Sequence, residues 1–311
     1  MPGIFVHIGA PRTGTTVLQK YIFPKLKEHQ LIQKIAHNST GNTTSMGQII
    51  GNPDVVSNYI ESLDQDIFKK DTHQILDNAI MPILSLNASL KSNKEKDNFL
   101  RELTGCLFAK LQAYKKNPGM PIFISTERLC DTSASLRCYS KHSEGYEKKF
   151  MIYSLVELIN MSNSGYTNIS LCLREPIGYL RSKYLRTYFM RENFNERPLN
   201  PNEYIQKQAT LESSHPGSSA LAPSMHKEFI QQLQRYAFVK AFGFQELLKS
   251  DDVFSLMGLQ GEDKFAFDSF PRENKLPLIT KEEEQIIEST ITQSLKQYGF
   301  YNRIMKAQMF E

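Results

Sequence analysis

The chain has 311 residues, 40% of them hydrophobic, and a chain of this length buries enough apolar surface to fold without disulfide or metal staples. Lys and Arg number 37 against 33 Asp and Glu, and this net charge of +4 is spread along the chain, which argues against a dedicated nucleic-acid-binding protein but not against a small anionic ligand. No apolar run approaches the ~20 residues of a membrane span, and strand-like sequence begins so close to Met1 that we expect neither a signal peptide nor a membrane anchor.

The first element is a strand followed by a turn and a helix. Residues 4–9, IFVHIG, form a continuous apolar run that predicts a strand buried on both faces. A Gly/Thr-rich turn, APRTGTT at 10–16, leads into VLQKYIF, whose apolar residues have helical spacing. Pro24 then ends or kinks this helix, because proline lacks the N–H that a helix interior needs.

A long helical region follows the first strand–helix unit. Residues 37–52 are polar and rich in turn formers, which predicts a loop. Residues 53–116 are mostly helical in pattern, with breaks predicted near Pro82 and at 91–97. We expect one domain over residues 1–311, with the helices of 53–116 as an insertion on the acceptor side of the site.

Three further apolar runs predict strands: PIFIST at 121–126, NISLCL at 168–173 and YAFVKAFG at 236–243. A helical pattern at 148–161 lies between the first two of them. Strand, helix and strand in this order predict a parallel sheet. The fold class we expect is therefore α/β: a three-layer sandwich with a central parallel sheet and a P-loop-like phosphate-binding loop.

The second half of the chain contains three predicted helices, one of which begins at FQELL, residues 244–248. Pro176 opens a helix that continues to about Met190, and residues 213–224 form a Ser/Pro/Gly-rich loop. Thr280 and Glu283 have the spacing of a capping box before the last helix, and Gly299 is placed to end it.

The turn after the first strand has the skeleton of a phosphate-binding loop. Gly9, Gly14 and Thr16 match the G-x4-G-K-[ST] pattern between a strand and a helix, where backbone N–H groups and the helix N-terminus favour an anion. Thr15 occupies the position of the Walker lysine, and the nearby cation is Arg12 inside the loop. The missing lysine disfavours an ATPase or kinase.

The same loop resembles the 5′-phosphosulfate loop of sulfotransferases that use 3′-phosphoadenosine 5′-phosphosulfate (PAPS), in which the pattern is P-[KR]-[ST]-G-T-[TS]; here residues 11–16 are PRTGTT. A second motif of that family, R-x-P-x-x-x-x-x-S-x-[YF], is matched by Arg174, Pro176, Ser182 and Tyr184. The order and spacing of both motifs, each after a predicted strand, identify the chain as similar to PAPS-dependent sulfotransferases of bacterial type.

The resemblance implies which residues bind the donor. By this resemblance, Arg174 and Ser182 bind the 3′-phosphate of PAPS or of the product PAP. The 5′-phosphosulfate is bound by the loop residues Pro11, Arg12, Thr13, Gly14, Thr15 and Thr16. Family members also have a basic loop before the last helix. SFPRENK at 269–275 occupies that place, and Arg272, Asn274 and Lys275 are its candidates, although the usual R-K-G text is absent and an ordinary polar loop is the alternative.

Sulfuryl transfer requires a base near the acceptor oxygen and cationic donors at the leaving phosphate. Arg12 fits the second role. Glu127 directly follows a predicted strand, at the sheet edge where ligands bind, and it resembles the glutamate base of several sulfotransferase groups. The alternative for Glu127 is structural pairing with Arg12 or Arg128. His7 lies inside a strand as a core residue, and the other histidines lack strand-end placement.

The function expected from these motifs is transfer of the sulfuryl group of PAPS to a hydroxyl or amine of a carbohydrate, a lipid-linked sugar or a small metabolite. The alternatives are a P-loop kinase or NTPase and a non-catalytic nucleotide-binding relative. No metal is needed by this scheme. The four cysteines show no metal-ligand spacing, which favours reduced thiols in a cytoplasmic protein. The basic residues that follow Arg174 are expected on a solvated helix face: Arg181, Lys183, Arg186 and Arg191.

Overall fold

The computed structural model describes thirteen stretches of the chain: residues 3–9, 17–26, 30–33, 53–64, 72–89, 93–115, 120–126, 129, 151–162, 167–214, 219–259, 264–270 and 279–306. Its centre is a five-stranded sheet in the order β2-β3-β1-β4-β5, and every pair of neighbouring strands is parallel. The prediction of an α/β fold with a central parallel sheet is confirmed. The phosphate-binding loop predicted at 10–16 lies outside the described residues.

The strands are β1 (Ile4–Gly9), β2 (Gln30–Gln33), β3 (Ile122–Ser125), β4 (Thr167–Leu173) and β5 (Phe238–Gly243). Four of them coincide with the predicted apolar runs. The sequence analysis missed β2, because only Leu31 and Ile32 separate its two glutamines and this is too short a pattern to register as a strand.

Helices connect the strands and cover the sheet. The α-helices are α1 (Pro53–Ser62), α2 (Thr72–Ile75), α3 (Met81–Ser89), α4 (Lys94–Ala113), α5 (Met151–Met161), α6 (Pro176–Asn193), α7 (Pro201–Ser214), α8 (His226–Gln234), α9 (Phe244–Lys249), α10 (Val253–Met257), α11 (Lys281–Gln297) and α12 (Tyr301–Lys306). Two π-helices, Leu18–Ile22 and Leu76–Ile80, and three 3₁₀ turns, Phe23–Lys25, Ala222–Ser224 and Phe267–Ser269, complete the described elements. The predicted capping box is present, since Thr280 accepts a hydrogen bond from the N–H of Glu283 and Glu283 accepts one from Thr280. Gly299 follows α11 with a φ of 78°, the left-handed conformation that ends a helix.

The predicted break at Pro82 is wrong. Helical structure runs without interruption from Thr72 to Ser89, and the π-helix Leu76–Ile80 directly precedes the proline-containing helix. The N–H of Met81 bonds to the carbonyl of Leu76, five residues earlier. This wider turn relieves the clash that a proline ring makes in a regular α-helix, so the chain passes Pro82 without ending.

Apolar residues cover both faces of the sheet, as alternation along β1 shows. Ile4, Val6 and Ile8 belong to a large cluster formed with the long helices. Phe5 packs on the opposite face, in a cluster that includes residues of the first π-helix and of α10. A parallel sheet buried on both faces needs such near-continuous apolar strands.

The strand order creates a crevice at the carboxyl ends of β1 and β4. The chain leaves β1 towards β2 on one side of the sheet, whereas it leaves β4 towards β5 on the other side. Because parallel crossovers are right-handed, these two connections pass over opposite faces. The last residue of β1, Gly9, is in register with Cys172, two residues before Arg174. Ligands of open α/β sheets bind at such a switch point.

Candidate functional site

Arg174 is the first residue after β4, and its surroundings are formed by three separate segments. Its guanidinium carbon lies 5.6 Å from the ring centroid of Phe244, within range of a cation–π interaction. Phe244 is the first residue after β5, whose last residue is in register with Leu173 of β4. The neighbouring strand ends therefore supply both the charge and the aromatic face beside it.

Gly178 leaves the space in which this guanidinium lies. A Cβ built on Gly178 would be 3.5 Å from Arg174 Nε and 2.9 Å from a carboxylate oxygen of Glu175. A larger residue at this position of α6 would displace these side chains. The first turn of α6 is thus a shallow cradle with Arg174 at its edge.

Ser182 lies one helical turn beyond Gly178 on the same face of α6. Its side chain is 2% exposed, and its hydroxyl has no hydrogen-bond partner within the described part of the chain. A buried hydroxyl without a partner is costly in a finished core. An oxyanion of a bound ligand would satisfy it, and the donors of Arg174 match phosphate oxygens. The residues present fit a phosphate group.

Tyr184, the last residue of the second motif, is part of the core. It packs against Tyr204 with ring centroids 5.8 Å apart. Burial, followed by the neighbouring Tyr188 and Glu203, raises the pKa of Tyr184 to about 12, so this phenol stays neutral. Its role in the motif is to hold α6 in place.

Glu175 occupies the N-terminus of α6. Its carboxylate accepts hydrogen bonds from the N–H groups of Ile177, at 2.7 Å, and Gly178, at 2.6 Å. A negative charge at this end of a helix is favourable. Because Glu175 uses these two donors, a phosphate in the cradle depends on Arg174 and Ser182 rather than on the helix terminus.

Sequence reasoning missed His226, which it treated as one of the histidines without strand-end placement. His226 begins α8, is 1% exposed, and its Nε2 lies 3.0 Å from the carbonyl oxygen of Arg174. The carbonyl can only accept, so Nε2 carries the proton. Burial lowers the pKa of His226, although the Arg174 carbonyl and the Glu175 charge act in the opposite direction. Nothing in the local sequence signals a contact with a residue 52 positions earlier.

The other basic residues of α6 serve different purposes. Arg181 forms ion pairs with Glu284 and Glu288 of α11, so its charge is neutralised within the protein. Arg191 lies 3.8 Å from Glu196, and Arg186 is exposed. Arg174 differs from these residues in its position, since it directly follows β4 at the switch point.

The segment Lys264–Phe270 connects the cradle to the helix after the first strand. Phe267 packs edge-on against Phe244 at 6.3 Å, and Phe270 stacks on Tyr21 at 5.6 Å with an interplanar angle of 13°. Lys25 lies over the rings of Phe265 and Phe270, at 4.1 Å and 4.9 Å. These ring contacts link Phe244, the neighbour of Arg174, to the first π-helix and to the turn that follows it.

Several predicted site residues lie outside the described residues. They are the loop residues 11–16, the candidate base Glu127 and the three candidates of the loop before α11, Arg272, Asn274 and Lys275. The described residues nearest to them in sequence are Gly9, Val17, Thr126, Phe270 and Ile279. Gly9 ends β1 and Thr126 follows β3, and these two strands are neighbours in the sheet. These assignments stay predictions.

Comparison of the chain with protein-family models, with curated proteins and with solved structures gives no match. Among the helices that the structure describes, none is both long and apolar enough to cross a membrane. Within the same residues, no group of three or more His, Cys, Asp or Glu side chains is arranged to hold a metal ion.

Proposed function

We propose that this protein transfers the sulfuryl group of PAPS to a hydroxyl or amine of a small-molecule or glycan acceptor. The observation that carries the proposal is the buried hydroxyl of Ser182, which has no partner within the described part of the chain and lies on the helix that follows Arg174 at the β1–β4 switch point. A phosphate-loop sequence follows β1 at the same edge of the sheet. Two anion-binding elements at one switch point suit a nucleotide with phosphates at both its 3′ and 5′ positions.

In the reaction, the acceptor oxygen or nitrogen attacks the sulfur as the bond from sulfur to the 5′-phosphate oxygen breaks, and PAP leaves with the electron pair. Glu127 takes the proton of the attacking group. Arg12 and the N–H groups of its loop stabilise the charge that grows on the departing phosphate. Arg174 and Ser182 hold the 3′-phosphate, remote from the reacting atoms, and so contribute to affinity for the donor.

We propose that the acceptor approaches the site from one side. That side is formed by the helices between β2 and β3 and by the segment that ends at His226. His226 ties this segment to the backbone of Arg174, since its ring N–H donates to that carbonyl. Cys106 and Cys172 are not in disulfides. Their reduced state agrees with the cytoplasmic location that we propose.

The proposal is tested by thermal shift with PAP, ATP, GTP and NAD, followed by measurement of PAP release from PAPS over a panel of hydroxyl and amine acceptors. We expect PAP to stabilise the protein by about 2.7 kcal/mol at 100 times its dissociation constant, without magnesium. Equal stabilisation by ATP, or a requirement for magnesium, would favour a P-loop kinase or NTPase. PAP binding without transfer to any acceptor would favour a non-catalytic nucleotide-binding protein.

A further inference from the structure

A row of polar residues crosses the sheet within its otherwise apolar interior. Residues at one register position on the five strands are Gln33, Ser125, His7, Ser170 and Lys240. The first four are at most 3% exposed. On β1, His7 interrupts the apolar sequence IFVHIG, and on β3, Ser125 ends the apolar sequence IFIS. Buried polar groups at this density require partners.

The partner on the face of the sheet above this row is Gln19, in the first π-helix. Its side-chain amide donates to the carbonyl oxygen of Ser125 at 3.0 Å and to the Ser125 hydroxyl at 3.1 Å. The Ser125 hydroxyl lies 3.0 Å from His7 Nδ1. This hydroxyl therefore lies between the Gln19 amide and the His7 ring, and it donates to Nδ1 or accepts from Nδ1–H according to the tautomer of His7.

The main-chain carbonyl of Gln19 explains why Gln33 is part of the row. In the π-helix the N–H of Phe23 bonds to the carbonyl of Leu18, five residues earlier. The corresponding donor for Gln19 is residue 24, a proline, which has no N–H. The side-chain amide of Gln33 supplies the missing bond at 2.9 Å. Gln19 is thereby attached to β2 through its backbone and to β3 through its side chain.

His7 can serve this network because it stays neutral. Burial lowers the pKa of His7 to about 3, so the ring stays neutral throughout the physiological range and Nδ1 keeps its hydrogen bond with the Ser125 hydroxyl. The His7 ring also packs edge-on against Phe23, with centroids 4.9 Å apart. Phe23 directly follows the π-helix, so His7 contacts the same helical segment through packing as well as through Ser125.

We propose that Ser125 and Gln19 are positioning residues that fix the helix after the phosphate loop onto β3, and so set the 5′-phosphate subsite. The consequence for ligand binding rests on the proposed function. The 3′-phosphate subsite at Arg174 is built from β4, β5 and α6, which carry none of these hydrogen bonds. Loss of the network should therefore affect one subsite and spare the other.

The chain offers a matched control for Ser125. Ser170 flanks His7 on the opposite neighbouring strand at the same register and is also buried, but its hydroxyl has no partner within the described part of the chain. Ser125→Ala and Ser170→Ala remove the same atom from the two sides of His7. The Ser125→Thr variant retains the hydroxyl on a residue that suits a strand.

The experiment measures the affinities of wild type and the three variants for 5′-AMP and 3′-AMP, with hydrogen exchange of residues 18–26 in the ligand-free proteins. We expect Ser125→Ala to weaken 5′-AMP about 2–12-fold, as the loss of one buried hydrogen bond implies. We expect 3′-AMP to bind unchanged and exchange over 18–26 to accelerate. Ser170→Ala should resemble wild type, and Ser125→Thr should restore 5′-AMP binding.

Equal effects of Ser125→Ala and Ser170→Ala, or equal losses for both nucleotides, would overturn the positioning role. If wild type binds neither nucleotide, the proposed function fails, and the exchange measurement still decides whether the network fixes the helix. If Ser125→Ala does not fold, Gln19→Met keeps the side-chain volume while removing both donors, and it is measured in the same two assays with the same expectation.

Discussion

On α6, which follows β4, a buried hydroxyl has no partner among the described residues, whereas on β1 and β3 buried polar side chains form hydrogen bonds that hold the chain together. Arg174 is partly exposed beside the ring of Phe244, and the buried Ser182 hydroxyl on α6 has no partner among the described residues. His7, Ser125 and Gln19 are fully enclosed, and hydrogen bonds join them. The first arrangement is typical of a ligand site, and the second of a support for one.

Substitutions in the two regions should therefore have opposite effects on ligand binding and on stability. At the ligand site, removing a polar group should weaken a ligand and leave the free protein as stable as before. In the support, removal should destabilise the free protein, because a buried partner loses its hydrogen bond. Four substitutions examine this contrast, from the largest expected effect to the smallest.

Glu127→Gln tests whether the β3 edge also carries chemistry. If Glu127 is the base, the variant cannot accept the acceptor's proton, and kcat should fall about 10²–10⁴-fold while PAP affinity stays unchanged. The measurement is PAP release under saturating PAPS, with Glu102→Gln on the exposed face of α4 as the control. Near-normal turnover would mean that the base lies elsewhere, and a lowered melting temperature with weakened PAP would mean that Glu127 is structural.

Arg174→Ala tests the ligand side of the comparison. Loss of a charge-assisted hydrogen bond should weaken PAP by about 1.5–3 kcal/mol, and 5′-AMP should bind as before. The control is Arg181→Ala, seven residues further on, whose guanidinium pairs with Glu284 and Glu288. Calorimetry should show no change in PAP affinity for this control. Equal losses of PAP affinity in the two variants would contradict the proposal that Arg174 contacts the 3′-phosphate.

His7→Asn tests the support side through pH. Unfolded His7 takes up a proton below about pH 6.5, whereas folded His7 does so only near its lowered pKa of about 3. The free energy of unfolding therefore falls as pH falls through this window, by about 2 kcal/mol between pH 7 and pH 5 from this residue. Denaturant unfolding should show that this part of the pH dependence disappears in His7→Asn. An unchanged slope would show that His7 is not the buried neutral group described above.

Ser182→Ala gives the smallest effect and the sharpest contrast with Ser125→Ala. Both side chains are at most 2% exposed, but the Ser182 hydroxyl has no partner in the described residues. We expect PAP to weaken by about 0.5–1.5 kcal/mol with no loss of stability in the free protein. Calorimetry and denaturant unfolding check the two parts, and destabilisation without any change in PAP affinity would place Ser182 in the support class.

The sequence predicted most of the sheet, whereas the site residues that it named stay predictions. Continuous apolar runs marked β1 and β4, and the spacing of Arg174 and Ser182 was visible before the fold was known. Strand β2 was missed because its two glutamines break the apolar pattern of a buried strand. Gln33 donates a hydrogen bond to the carbonyl of Gln19, which Pro24 leaves without a backbone donor. That reason exists only in three dimensions.

The contacts that shape the site also escaped sequence reasoning. Phe244 and His226 reach Arg174 from other elements, and no periodicity relates residues so far apart in the chain. The polar row left a partial signal, since His7 interrupts one apolar strand and Ser125 ends another. Only the strand register shows that they are neighbours.

The most direct test of the central claim is a calorimetric comparison of PAP, 5′-AMP and magnesium-ATP on the wild-type protein. This comparison isolates the contribution of the 3′-phosphate to the binding free energy. If Arg174 and Ser182 serve the same nucleotide as the phosphate loop, PAP should bind at least about tenfold more tightly than 5′-AMP, as a charge-assisted contact implies. PAP should also bind more tightly than magnesium-ATP. Equal affinity for PAP and 5′-AMP, or tighter binding of magnesium-ATP, would contradict the account.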